Sequence, residues 1–125
     1  MAPIKKKQKI WLKDPRPGNY PAAQDYLDLL YPAAIAARTV ESLKHCTTVV
    51  KKAKDILRAS ELPLLPADNI HVQDNIGKVK KGEKLSPILL VRAQKLIIAD
   101  GYHRLCSIYY VSEDLEIPCR ITDLQ

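Results

Sequence analysis

Apolar residues recur at helical spacing through the first half of the chain and gather into short continuous runs in the second. From Pro21 the pattern is helical, with Tyr26, Leu27, Leu29 and Leu30 forming an apolar face and Asp25 and Asp28 lying off it. Pro21 suits the first position of such a helix, and Pro32 interrupts it. Ala33 to Lys44 reads as a second helix, with Ile35, Thr39, Val40 and Leu43 on one side. Thr47 is placed to cap a third, running through Val49, Val50, Ala53, Ile56 and Leu57 to Ser60, with Lys51, Lys52, Lys54 and Arg58 on its other face. Leu62-Pro63-Leu64-Leu65-Pro66 then stops the helices, because each proline bars the helical region to the residue before it.

Beyond that segment the texture changes. Asp68 or Asn69 caps a short helix over 71–81 that ends near Gly82. Pro87 to Val91 and Leu96 to Ala99 are β-rich runs separated by the hairpin-sized gap Arg92-Ala93-Gln94-Lys95. A helix after Gly101 turns Leu105, Ile108, Tyr109 and Val111 inward, and Glu116 to Thr122 is the last strand. The pattern predicts an α+β fold with a small sheet, in which a helical half (21–61) packs on a sheet-bearing part (62–122). Residues 1–20 read as a basic arm and a turn-rich linker, anchored to the body by Ile10-Trp11-Leu12.

The length of 125 residues fits one domain with a real core. Hydrophobic residues are 46% and charged residues 27%, and Phe is absent, so the core must be built from Leu, Ile, Val and Ala. The net charge of +6 suits anionic partners. Lys5, Lys6 and Lys7 in the arm supply part of the excess, and Lys51, Lys52, Lys54 and Arg58 make a basic face on the third helix. Each could contact a nucleic acid or an acidic protein surface, but runs of this kind are more often simply solvated. Cys46, Cys106 and Cys119 form no spaced set, which points to reduced thiols and a cytoplasmic protein. No apolar run has membrane-spanning length, and MAPIKKK lacks the hydrophobic region of a secretory signal.

One segment concentrates chemistry. Ile97-Ile98-Ala99-Asp100-Gly101-Tyr102-His103-Arg104-Leu105-Cys106-Ser107 runs from an apolar strand through a glycine into a helix. Such a turn points the first N–H groups of the helix outward, with the positive end of its dipole behind them. His103 and Arg104 add side-chain donors where a phosphate would sit. Asp100 has two roles open to it, N-cap of the following helix or Mg²⁺ ligand beside the phosphates. Arg104 has the alternative of pairing with Asp100, and His103 that of a local hydrogen bond. Tyr102 either stacks on a base or covers the turn. Cys106 falls on the core side of the helix. His103 and Cys106 with His45 and Cys46 make a poor zinc set, since the last two are chain neighbours, and no zinc is expected.

The ordered set Leu85-Ser86-Pro87-Ile88-Leu89-Leu90-Val91-Arg92, then Ile97 to Arg104, then Ile117-Pro118-Cys119-Arg120-Ile121 resembles the ParB/sulfiredoxin-like fold. Members share a strand after a short helix, a second strand, a G-x-x-R turn opening a helix, and a further strand. The resemblance covers residues 62–122 and implies a small mixed sheet. In sulfiredoxins the turn reads G-C-H-R; the cysteine is the nucleophile, and histidine and arginine hold ATP phosphates. Here Tyr102 stands in the cysteine's place, and a phenol cannot do thiolate chemistry, which argues against sulfinic-acid reduction. Sulfiredoxins also contact ATP from the preceding helix, which here carries His71, Asp74 and Lys78; the resemblance assigns that contact to Lys78. In ParB-type proteins the turn is G-x-R-R and binds CTP, and a DNA-reading helix-turn-helix follows that has no counterpart within these residues.

The expectation is a phosphate or nucleotide site at Gly101, Tyr102, His103, Arg104 and Lys78, taking ATP or CTP with Mg²⁺, and open to nucleotide hydrolysis through Asp100 and His103. The alternative is a non-enzymatic module that uses the basic arm and helix face to bind DNA or an acidic protein. A metal-dependent nuclease comes third, because no cluster of carboxylates suggests a two-metal site.

Overall fold

Ile88, Leu89, Leu90 and Val91 are all fully buried, so the strand that carries them is covered on both faces. The computed structural model describes residues 10–125. In chain order the elements are α1 (Asn19–Leu30), α2 (Ala33–His45), β1 (Val49–Lys52), α3 (Ala53–Ser60), α4 (Ile70–Lys80), β2 (Ile88–Arg92), β3 (Leu96–Asp100), α5 (Tyr102–Val111) and β4 (Glu116–Asp123). The four strands form one mixed sheet in the order β1-β4-β2-β3. β2 and β3 make an antiparallel hairpin, α5 carries the chain over so that β4 runs parallel to β2, and β1 closes the far edge antiparallel to β4.

Strand alternation divides the core in two. Ile88 and Leu90 of β2, Ile98 of β3, and Ile117 and Cys119 of β4 pack with Ile56, Val79, Leu105 and Ile108 from α3, α4 and α5. Leu89, Val91, Ile97 and Ala99 face the other way, onto Ala23 and Leu27 of α1 and Ala36, Val40 and Leu43 of α2. The result is an α+β molecule whose first two helices roof one face of the sheet and whose last three carry the other. Trp11 pairs with Leu85, through Leu12 N–H to the Leu85 carbonyl and Leu85 N–H to the Ile10 carbonyl, both 2.8 Å. That pairing is the anchor expected of Ile10-Trp11-Leu12. Lys5, Lys6 and Lys7 lie outside the described residues.

The helix expected from Thr47 to Ser60 is broken in two. Val49 and Val50, β-branched and following two threonines, extend instead and pair with Cys119 and Pro118 of β4. Helix begins only at Ala53, whose N–H bonds the Leu115 carbonyl at 2.9 Å. The helical half therefore contributes an edge strand to the sheet. The apolar face of α1 is also narrower than its sequence suggests: Ala23 and Leu27, one turn apart, are fully buried, while Tyr26, Leu29 and Leu30 are exposed. Close approach of α1 to the sheet uses the small Ala23 and leaves no second row. Helix α1 starts at Asn19, which puts Pro21 inside the first turn, where its missing N–H costs nothing.

Candidate functional site

The glycine turn is built by backbone constraint. Leu90 pairs with Ile98 but Leu89 pairs with Asp100, so β3 carries one extra residue at its end. Such a bulge re-aims the strand as it leaves the sheet. Gly101 follows at φ 115°, a region that L side chains rarely occupy. A Cβ there would lie 2.8 Å from Ile88 Cγ1 and 3.0 Å from Arg104 Nη2. Glycine is thus required twice, for the backbone angle and for the close approach of the guanidinium.

Gly101 is the N-cap of α5, and no side chain caps that helix. Asp100, expected as the cap, instead takes the Arg104 guanidinium: Nη2 donates to Asp100 Oδ2 at 3.0 Å and to the Pro87 carbonyl at 3.2 Å. Both side chains are mostly covered, and Arg104 Nε is buried with no acceptor among the described residues. The reason is geometric. The bulge lies just before Asp100, and Arg104 follows it by four residues across Gly101, so the carboxylate meets the guanidinium at the start of α5. The first intrahelical bond runs from Leu105 N–H to the Gly101 carbonyl at 2.9 Å, so the N–H groups of Tyr102, His103 and Arg104 have no intrahelical acceptor.

Opposite that end lies α4. Its N-terminus is capped by Asn69, whose Oδ1 accepts from the N–H groups of His71 (3.0 Å) and Val72 (3.2 Å). The helices are locked through Cys106, packed on Val72 and Ile76, and through the buried Ser107 hydroxyl, which donates to the carbonyls of Val72 (3.1 Å) and His103 (2.7 Å). Ser107 therefore sets the spacing at which His71 meets His103, edge to face, with ring centroids 4.8 Å apart. Tyr102 donates its hydroxyl to the Pro63 carbonyl and Tyr110 to that of Leu65 at 2.5 Å, tying the proline segment to α5.

Between α4 and the glycine turn is a cleft of about 280 Å³, lined by His71, Asp74, Asn75 and Lys78 on one side and Asp100 to Arg104 on the other. All five residues expected to hold a phosphate, Gly101, Tyr102, His103, Arg104 and Lys78, border this one space. The contact between His71 and His103 was not anticipated. Its signal is the spacing of His71, Asp74 and Lys78, which places three polar side chains on one stripe of α4. Burial, then His71, then Arg104 hold the His103 imidazole below its ordinary pKa of 6.5, so it is neutral at pH 7. Tyr102 is pushed upward, chiefly by burial, which leaves its phenol protonated.

Other expectations fare differently. Cys106 is fully buried, and burial raises its pKa, so it is a core residue and no displaced nucleophile. Lys51, Lys52, Lys54 and Arg58 do not share a helix face: the first two lie on β1 and the others on α3. Lys54 is bound to Asp114 at 2.8 Å and Arg58 to Asp55 at 3.4 Å. Among the described residues no three His, Cys, Asp or Glu side chains gather as a metal-ligand set, and no helix is long and apolar enough to cross a membrane. A larger, mostly apolar groove of about 570 Å³ runs between α1 and the edge of β3, past Tyr26, Leu30, Leu96 and Ile98; it brings together no comparable set of donors.

The chain matches no family model, no curated protein and no solved structure.

Proposed function

We propose that the cleft between α4 and the start of α5 binds the phosphate of a nucleotide, ATP or CTP, or of another phosphorylated ligand. The observation that carries this reading is the convergence of His71, Lys78 and His103 on a helix end whose first N–H groups have no cap. Uncapped backbone donors and a lysine bordering one cleft suit an anion with several terminal oxygens. The strand, glycine turn and helix with His103 and Arg104, resembling the ParB/sulfiredoxin-like fold, favour a nucleotide as the bearer of that phosphate.

Charge bookkeeping shapes the expectation. Asp100 offsets Arg104, and Asp74 stands near Lys78, so attraction comes from aimed donors more than from net positive field. Arg104 acts first as a brace for the turn, because its Nη2 already has two acceptors. The residues do not fit a resident Mg²⁺: Oδ2 of Asp100 is engaged by Arg104, and no three ligands gather among the described residues. Any Mg²⁺ would therefore arrive on the phosphates of the nucleotide. Tyr102 provides no thiolate, which leaves sulfinic-acid reduction outside the reading.

Calorimetric titration of ATP and CTP, with and without Mg²⁺, into the wild type and Lys78→Ala tests it. Lys78 is exposed, so its truncation should spare the fold. Saturable binding weakened roughly tenfold or more in the variant, the worth of about one charge-assisted hydrogen bond, is expected. Equal affinity for both proteins, or no binding to either, overturns the reading.

A further inference from the structure

Two histidines meet edge to face in the cleft. His71 comes from the first turn of α4 and His103 from the first turn of α5, and both are exposed at the cleft. We infer that the His71–His103 pair makes this cleft a receptor for a terminal phosphate dianion, taken up together with a proton, in preference to an internal phosphodiester. The inference rests on the phosphate reading given above and narrows it to a ligand class.

The argument is electrostatic. Rings with centroids 4.8 Å apart repel one another when both are charged, so the free pair resists its second proton. The other groups lining the cleft are Asp74 and Lys78 from α4, and Asp100, Tyr102 and Arg104 from the end of β3 and the start of α5. Asp100 is committed to Arg104, and the Tyr102 hydroxyl to the Pro63 carbonyl. Asp74 favours a proton on the pair; Lys78 and Arg104 oppose it. A dianion entering the cleft offsets that repulsion, because an imidazolium then gains an attraction to two negative charges. A monoester brings two charges on three terminal oxygens. A diester brings one charge on two, and so draws in the proton less strongly and uses fewer of the donors.

The test compares 5′-AMP with 3′,5′-cyclic AMP, which share a base and differ in the ester. Calorimetry is run at pH 7 in two phosphate-free buffers of different ionisation enthalpy, with the wild type and His71→Asn, and with inorganic sulfate as a dianion that takes up no proton itself. Expected are uptake of about one proton with AMP and with sulfate, and cyclic AMP binding at least about tenfold more weakly. His71→Asn should bind AMP more weakly and lose both the proton uptake and the preference. Equal affinity for the two esters, AMP binding without proton uptake, or an unaltered His71→Asn overturns the inference and leaves the phosphate site standing. Failure of AMP, ATP and inorganic phosphate alike to bind removes the phosphate reading and this inference with it.

Discussion

Nη2 of Arg104 lies 3.0 Å from Oδ2 of Asp100, across a glycine whose missing side chain makes room for the contact. Arg104 is thus the residue that holds the turn in shape. Under the proposed function, a variant at this position alters stability as well as the cleft.

Arg104→Ala is expected to destabilise the protein by about 1–3 kcal/mol, since it leaves a largely covered carboxylate and the Pro87 carbonyl without their donor. Asp100→Ala should cost a similar amount, and the double variant less than the two together. Urea unfolding of the four proteins measures this. Strict additivity would show that the pair does not act as a unit.

Gly101→Ala should cost about 2–4 kcal/mol, from a side chain forced to φ 115° and a Cβ set 2.8 Å from Ile88. Gly18→Ala is a fair control, because nothing lies within 4 Å of a Cβ there. A thermal melt in which the two variants match would contradict the account of the turn.

Acid should weaken the fold through His103. Its imidazole is held below 6.5, first by burial and then by His71 and Arg104, so the unfolded chain binds this proton more readily than the native one. Stability present above pH 6.5 is therefore lost as the pH falls from that value through the lower native one. His103→Asn should flatten this part of the stability profile between pH 7.5 and 5.5. An unchanged acid limb would place the titration elsewhere.

Much of this was legible in the sequence, for identifiable reasons. Pro87 to Val91 and Leu96 to Ala99 read as strands because their apolar runs are bounded by turn residues, and the turn at Gly101 because strand, glycine and helix meet there. Lys78 was placed at the site by resemblance and lies there in space. What escaped depends on packing between distant segments. Val49 and Val50 continue a plausible helical pattern, and only the open edge of β4 makes a strand of them. The exposure of Tyr26 and Leu30 reflects how closely Ala23 lets α1 approach the sheet, which periodicity does not encode. The cap expected of Asp100 gave way to Arg104 because one extra residue in β3 turned the carboxylate aside. The meeting of His71 with His103 required Ser107 and Cys106 to fix the spacing of α4 and α5, a relation between residues that local pattern cannot supply.

Thiol reactivity checks the core independently. Burial raises Cys106, and it pushes Cys119 up to about 11, so neither forms appreciable thiolate in the native state near neutrality. Cys46 is only partly covered, with Sγ 3.4 Å from the Ile121 carbonyl. Ellman's reagent at pH 7.5 should therefore modify one thiol promptly, blocked by Cys46→Ser, and the other two only on unfolding. Rapid reaction of all three would contradict the packing described.

The central claim is that phosphate is received at the start of α5, and amide chemical shifts report on that place directly. Adding ATP or inorganic phosphate to ¹⁵N-labelled protein should move the N–H resonances of Tyr102, His103 and Arg104, the donors without intrahelical acceptors, and with them those of His71 and Lys78. Shifts confined to the apolar groove between α1 and β3, or none at saturating ligand, would contradict it.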